Sequence, residues 1–159
     1  MQGSNRFSLT EIQSFAAQIY GGRPLVLVPY MYPLTFTGLA PAATATQQLS
    51  ITANADFILT SIKYRASIAA AAETISTKVA AFVRMLVTDS GTNEQFTSAA
   101  VDLENYATNS ASMAGALPFP RFISGRTALT VTCTNFSPAQ TYLLDIGFEG
   151  VLVRTYSPQ

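Results

Sequence analysis

The sequence predicts an all-β protein, an antiparallel β-sandwich of jelly-roll type with a short N-terminal helix. Two observations predict the sandwich: apolar and polar residues alternate along several short segments, and clusters of turn residues separate those segments. A helix-capping motif near the N-terminus predicts the helix. The 159 residues fit one domain, so we divide the chain into a helical arm at 1–22 and a single sandwich domain at 23–159.

The helix prediction depends on a short N-terminal segment. Ser8 and Glu11 have the spacing of a capping box, in which each side chain accepts a hydrogen bond from the other residue's backbone amide. An apolar face follows at helical spacing, and the glycines at 21 and 22 end the helix. The residues of that face are Ile12, Phe15, Ala16 and Ile19. The helix either packs on its own domain or docks on a neighbouring subunit, and the sequence leaves both alternatives open.

After the helix the pattern changes to β. The apolar run at 25–28 is typical of a buried strand, whereas the Pro-, Ala- and Thr-rich residues 31–47 predict a long, partly extended loop. Alternation predicts a half-buried strand at 48–53, and a turn at 54–56 leads into a strand at 57–65. Prolines interrupt the long uncharged run in this region, so we expect no membrane span.

The middle of the chain carries weaker patterns. Residues 66–81 fit either a helical turn, which the alanines favour, or a strand, an excursion and a second strand, and we expect the second arrangement. Alternation at 82–88, followed by turn residues, predicts a hairpin that returns through 94–97. A short strand is predicted at 101–104, and the small residues 107–116 predict a loop.

The C-terminal third has the clearest β pattern. Apolar residues alternate with threonines at 129–134, and the residues at 135–138 predict a turn. A long strand is predicted at 142–152, with apolar side chains on one face. Gly147 and Gly150 within it indicate a bend or a bulge.

The composition excludes several classes of function. The chain has no His and one Cys, so neither a zinc site of the usual ligands nor a His-based triad is expected. Nine basic and nine acidic residues leave no positive excess, so direct nucleic-acid binding is not expected. The single thiol, Cys133, continues an apolar strand face and is interpreted as a core residue. We therefore predict no enzyme activity, no cofactor and no metal.

Charged side chains are grouped at three places in the sequence. The groups are Asp102 with Glu104, Asp145 with Glu149, and Lys63 with Arg65 and Arg84. The carboxylates lie on the solvent side of alternating strands, and nothing in their spacing marks a glycosidase pair. The three basic residues indicate a solvated sheet face more than a nucleic-acid surface.

Five segments together resemble a known class of proteins. They are Asp56–Ile62, Met85–Gly91, Leu117–Ile123, Leu129–Asn135 and Tyr142–Val151. The chain resembles the small jelly-roll or β-sandwich structural proteins of tailed bacteriophages, which are head decoration (cement) proteins or related minor virion components. The segments that carry the resemblance correspond to strands and a Pro-Arg loop, and they do not mark a catalytic or ligand-binding site.

The resemblance implies a binding function. It implies that the chain binds the major capsid protein and copies of itself, as a trimer or dimer. It also implies a location on the capsid surface of the virion, after synthesis in the host cytoplasm. A phage neck, tail or adaptor component that forms a ring is one alternative. A carbohydrate-binding or adhesin module with an exposed aromatic platform is another.

We expect the apolar residues of segments 1–22 and 31–47, with neighbouring aromatic and arginine side chains, to make the subunit contacts. The candidate contact residues are Phe7, Ile12, Phe15, Ile19, Tyr30, Tyr32, Phe36 and Arg121.

Overall fold

The computed structural model describes residues 7–69, 79–109 and 116–156. The described residues form two helices, α1 (Leu9–Tyr20) and α2 (Leu103–Tyr106). They also form ten strands: β1 (Leu25–Leu39), β2 (Thr44–Ser50), β3 (Asp56–Ile68), β4 (Val83–Asp89), β5 (Glu94–Gln95), β6 (Val101–Asp102), β7 (Ala107–Asn109), β8 (Ala116–Ile123), β9 (Ala128–Asn135) and β10 (Tyr142–Thr155).

The strands are arranged in two packed sheets. The first sheet has the order β1-β10-β3, with β7 and β8 both pairing with β3. The second has the order β2-β9-β4, with β5 and β6 both pairing with β4. The pairs are antiparallel except for β3 with β7. The predicted all-β sandwich with one N-terminal helix is therefore confirmed.

The core lies between the sheets and follows the alternation of the sequence. Each long strand contributes every second side chain, as the buried residues of β9 and β10 illustrate. The largest fully buried side chains include Phe36, Phe57, Phe148, Met85 and Leu144. Cys133 lies in this core, as predicted.

A bulge in β3 creates a second, smaller core on the outer face of the first sheet. Gly150 pairs with Leu59 and Glu149 pairs with Ser61, so Thr60 is the extra residue. Before the bulge the odd residues of β3 face the main core, and after it the even residues do. Ile58 consequently points outward, beside Val151. The bulge predicted from the glycines of β10 is confirmed at Gly150.

Several predicted boundaries are wrong. Residues 31–47 do not form a loop, because β1 continues to Leu39 and β2 begins at Thr44. The strand predicted at 101–104 ends at Asp102, where α2 begins, and the Pro-Arg segment 117–123 belongs to strand β8. The predicted loop at 107–116 starts and ends in strand residues, and its residues 110–115 lie outside the described residues.

Of the other predictions for the middle of the chain, one is confirmed and one falls largely outside the described residues. The hairpin is confirmed, since Thr88 pairs with Gln95 across its turn. The excursion predicted within 66–81 falls largely on residues 70–78, which lie outside the described residues. No helix in the described part of the chain is both long and apolar enough to cross a membrane.

Candidate subunit-contact surfaces

The helix α1 packs on its own domain. Its capping box forms as predicted: Ser8 Oγ accepts from the amide of Glu11, and the Glu11 carboxylate accepts from the amide of Ser8. Ile12 and Ala16 are buried against the outward side chains of the first sheet. Of the two alternatives for the helix, packing within the chain is the one observed. Ile12 is thus a core residue, and its assignment as a subunit contact is corrected.

The other candidates on the helix retain some exposed surface. Phe7 and Phe15 are half-buried against the small core, because they flank the buried stripe of the helix. Ile19 is 39% exposed. These three positions remain predictions as contact residues.

Tyr32 and Phe36 belong to the main core and not to a subunit contact. They are 7% and 2% exposed, because they lie on the face of β1 that the second sheet covers. The Tyr32 hydroxyl accepts from the amide of Thr52 at 3.2 Å, which ties the segment after β2 to this point of β1. The prediction that these two residues make subunit contacts is wrong for one reason: the segment predicted as a loop is a strand that packs in the core.

Beyond Tyr32, the same face of β1 is exposed. Val26, Val28 and Tyr30 continue its alternation, yet they are 44%, 38% and 42% exposed. We call these three residues the β1 overhang. The ring of Tyr30 packs edge-to-face on Tyr32, with centroids 4.8 Å apart. The overhang therefore presents apolar side chains on a fixed strand.

A polar cleft lies beside the overhang, where α1 ends and β3 begins. Its volume is about 290 Å³. Tyr20 donates to Asp56 Oδ2, and the amide of Gly125 donates to Asp56 Oδ1 at 2.8 Å. Burial, followed by the hydrogen bond to Asp56, raises the pKa of the Tyr20 phenol well above its usual range. The other cleft residues are Ala53, Asn54, Ala55, Arg126, Val153, Arg154 and Thr155.

A second apolar surface lies at the opposite end of the sandwich. Phe82 is 70% exposed and Phe136 is 54% exposed, and the amide of Phe136 donates to the carbonyl of Phe82 at 2.8 Å. The Arg84 guanidinium lies 4.5 Å from the centre of the Phe136 ring and pairs with Asp102 at 3.3 Å. We call Phe82, Arg84 and Phe136 the aromatic patch.

Hydrogen bonds from a buried side chain hold the backbone of the aromatic patch. Asn135 Nδ2 donates to the carbonyls of Leu39 and Gln140, at 2.9 and 2.7 Å. Its Oδ1 accepts from the amide of Ser137 at 2.7 Å. The turn that carries Phe136 is therefore ordered by hydrogen bonds within the chain itself.

The charged groups singled out in the sequence have structural partners. Asp145 accepts from Thr35, and Glu104 accepts from Tyr64. Glu149 pairs with Lys63 at 2.5 Å. The predicted basic group does not form one surface, because Lys63 and Arg65 lie on β3 of one sheet and Arg84 lies on β4 of the other.

Arg121 makes a contact within the chain. Its guanidinium lies 4.3 Å from the centre of the Phe96 ring, and its side chain is half-buried. This contact joins β8 to the segment after β5, so Arg121 positions strands whether or not it also contacts a partner.

The described residues contain no group of three or more potential metal ligands. Burial raises the pKa of the Cys133 thiol to about 12. A thiol in this environment stays protonated at neutral pH and is a poor nucleophile.

The sequence prediction missed several exposed apolar residues, among them Phe82, Phe136, Val26 and Val28. A signal for the first two was present. Phe82 directly precedes β4 and Phe136 directly follows β9, so each continues the alternation on the side opposite the buried Val83 and Asn135. An aromatic residue on the face opposite the buried side chains is predicted to point to solvent.

Comparison with known proteins finds no family. No family model matches the chain. No curated protein matches it. The chain has a partial structural similarity to dimeric latent PorU from Porphyromonas gingivalis, with 12% identity over 80% of this chain and 13% of that chain. The TM-score is 0.35, a value too low to support an argument about fold or function.

Proposed function

We propose that the chain is a structural protein of a bacteriophage virion, specifically a decoration (cement) protein that binds the major capsid protein. The resemblance of its strand segments to such proteins supports the virion class. The observation that carries the binding function is the aromatic patch, where Phe136 is exposed on a preformed turn and Phe82 is exposed on the backbone segment bonded to it.

The physical chemistry of the patch suits a protein interface. Burying an exposed Phe side chain contributes roughly 1.5–3 kcal/mol, so two of them account for a large part of a specific interface. Aromatic and Arg side chains are enriched among the residues that dominate binding. Because Asn135 already orders the turn, little backbone freedom is lost on association.

The first test is the presence of the chain in particles. Virions produced from the genome that encodes it are purified, and mass spectrometry measures its copy number relative to the major capsid protein. We expect a fixed ratio of the two proteins. Absence of the chain from purified particles would overturn the proposal.

The second test addresses the aromatic patch. A Phe82→Ser, Phe136→Ser double variant is added to particles that lack the chain, with Phe119→Ser as the matched control on the other sheet. Phe119 is 79% exposed, so the control loses exposed aromatic surface outside the patch. We expect occupancy to fall at least about tenfold for the double variant alone. Equal occupancy of the two variants would contradict a role for the patch.

The assembly state separates decoration from a neck or tail role. Light scattering of the purified chain gives its absolute mass. A dimer or trimer is the expected result for a decoration protein, whereas a large closed ring favours a neck, tail or adaptor component.

A carbohydrate-binding function is the second candidate, and the exposure of both Phe82 and Phe136 is the observation that favours it. Sugars stack on exposed aromatic rings, and here two exposed Phe residues lie on backbone segments that a hydrogen bond joins. A glycan array distinguishes the candidates: binding that the Phe82→Ser, Phe136→Ser variant loses would support the carbohydrate function.

A further inference from the structure

The free edge of β1 carries backbone groups with no partner in the described chain. β1 pairs with β10 on one side, and its other side is the edge of the sheet. The carbonyl of Pro24 accepts from the amide of Tyr156, so even-numbered residues point their backbone groups toward β10. The carbonyl of Thr35 accepts from the Gln47 side chain outside the sheet, so odd-numbered residues point outward.

Prolines restrict this edge to a short stretch. Pro29 and Pro33 lack an N–H, and both occupy outward positions, where a strand tolerates proline. Toward the C-terminal part of β1, Gln47 occupies the carbonyl of Thr35. Leu25 and Leu27 retain both an outward N–H and an outward carbonyl. An added strand can therefore pair at 25–28 but not along the whole of β1.

Apolar surface lies next to the open stretch. Val26 and Val28 of the β1 overhang are on the same strand face and are exposed. Side chains at alternate positions of an added strand would contact them, as in other cases of strand addition. The edge thus offers backbone pairing and apolar contact at one place.

The charge around the stretch is positive. Arg154 is the register partner of Val26, so the two side chains share a face, and both are exposed. Arg23 lies just before β1 and Arg126 lines the adjoining cleft. None of the three has a carboxylate partner within the described residues. Asp56, the carboxylate of the cleft, is occupied by Tyr20 and Gly125.

The positive charge of these arginines favours one kind of binding partner over another. A second copy paired edge to edge would bring its own Arg23 and Arg154 to the same interface, where like charges are unfavourable. A segment that carries carboxylates would instead complement the arginines. We propose that the β1 edge at 25–28 binds an extended segment of a partner protein, with apolar residues at alternate positions and flanking carboxylates. The proposal stands apart from the aromatic patch and from the virion assignment.

An NMR titration of the full chain tests this proposal. The probe is acetyl-Glu-Thr-Val-Thr-Val-Thr-Glu-amide, in which the Glu and Val side chains share one strand face. Its charge-reversed form with Lys in place of Glu is the control peptide. Concentrations up to about 2 mM cover the weak affinity of a short peptide. We expect amide shifts confined to residues 25–28 and the facing part of β10, with the acidic peptide bound roughly fivefold more tightly.

Variants separate backbone pairing from charge. Leu27→Pro removes one outward N–H and should abolish the shifts. Arg154→Gln should weaken binding about threefold, whereas Arg84→Gln, at a paired arginine of the other sheet, should leave it unchanged. If Leu27→Pro does not fold, Val26→Glu replaces it, because an exposed carboxylate there should repel the acidic peptide.

Three results would overturn the proposal. They are the absence of shifts at 25–28 over the whole titration, equal affinity for both peptides, and shifts at 25–28 that depend on the concentration of the chain alone. The last result would assign the edge to a second copy of this chain.

Discussion

The hydroxyl of Tyr20, the last residue of α1, donates a hydrogen bond to the carboxylate of Asp56, the first residue of β3. Asp56 also accepts from the amide of Gly125, in the turn between β8 and β9. One carboxylate thus joins the helix, a central strand and a turn. The ring of Tyr20 packs edge-to-face on Phe122 of β8, which adds an apolar contact at the same point.

Replacing Tyr20 by Phe tests this junction. The variant keeps the aromatic ring and removes one hydrogen bond to a charged group, so we expect the free energy of unfolding to fall by about 2 kcal/mol. Urea denaturation measures the change. Tyr156→Phe is the control, since that side chain is 60% exposed, and its unfolding curve should match the parent protein. Equal curves for all three proteins would show that the hydrogen bond contributes nothing to stability.

The same residue predicts a pH dependence. The folded-state pKa of Tyr20 is raised above the ordinary 10.0, chiefly by burial, so the folded protein holds this proton more tightly than the unfolded chain does. Its contribution is fully present below pH 10 and is lost as the pH rises through the higher folded-state pKa. Urea midpoints should fall above pH 10, and less steeply in Tyr20→Phe. A smaller fall should persist there, because burial also raises the pKa of Tyr106.

Gly150 is required by a close approach of two backbones. A Cβ at this position would collide with the carbonyl oxygen of Ile58 at the bulge. Gly150→Ala should therefore reduce the free energy of unfolding by about 3 kcal/mol. Gly147→Ala is the matched control: its Cβ would lie 2.7 Å from Met31 Sδ, and that flexible side chain can move at a cost below about 1 kcal/mol. Similar losses in the two variants would contradict this account.

Asn135 is predicted to be the most important polar residue of the core. Asn135→Ala leaves the carbonyls of Leu39 and Gln140 without their donor, so we expect a loss of about 3 kcal/mol in chemical denaturation. The exposed Asn54 serves as the control, and its replacement by Ala should cost less than about 0.5 kcal/mol. A near-neutral Asn135→Ala would mean that the turn does not need this network.

Cys133 should react only when the protein unfolds. The thiol is fully buried, and burial raises its pKa to about 12. Labelling by a disulfide reagent at pH 8 should be at least about a thousandfold slower in the native protein than in urea, given ordinary domain stability. Rapid labelling under native conditions would reveal local opening around β9.

Local patterns predict the elements whose causes are local. The capping box at Ser8 and Glu11 forms as the sequence indicates, since both partners lie within one turn of helix. The alternation at 129–134 and 142–152 likewise predicts which side chains face the core. In each case the interacting residues are neighbours in the chain or share one strand face.

β1 shows why other elements could not be predicted in this way. The Pro, Ala and Thr content of residues 31–47 predicts a loop, yet Pro29 and Pro33 both lie within a strand. They are tolerated because β1 is an edge strand, and that position depends on its pairing with β10 at the far end of the chain. No pattern within β1 itself indicates which strand is its neighbour.

The exposed and buried tyrosines of β1 show most clearly what the sequence determines and what only the tertiary structure decides. The sequence by itself determines that Tyr30 and Tyr32 are two residues apart, and therefore that they share a face once the segment forms a strand. Only the tertiary structure decides that Tyr32 is buried and Tyr30 is exposed. The reason is that burial depends on segments distant in the sequence, here the residues around Thr52, whose amide donates to the Tyr32 hydroxyl.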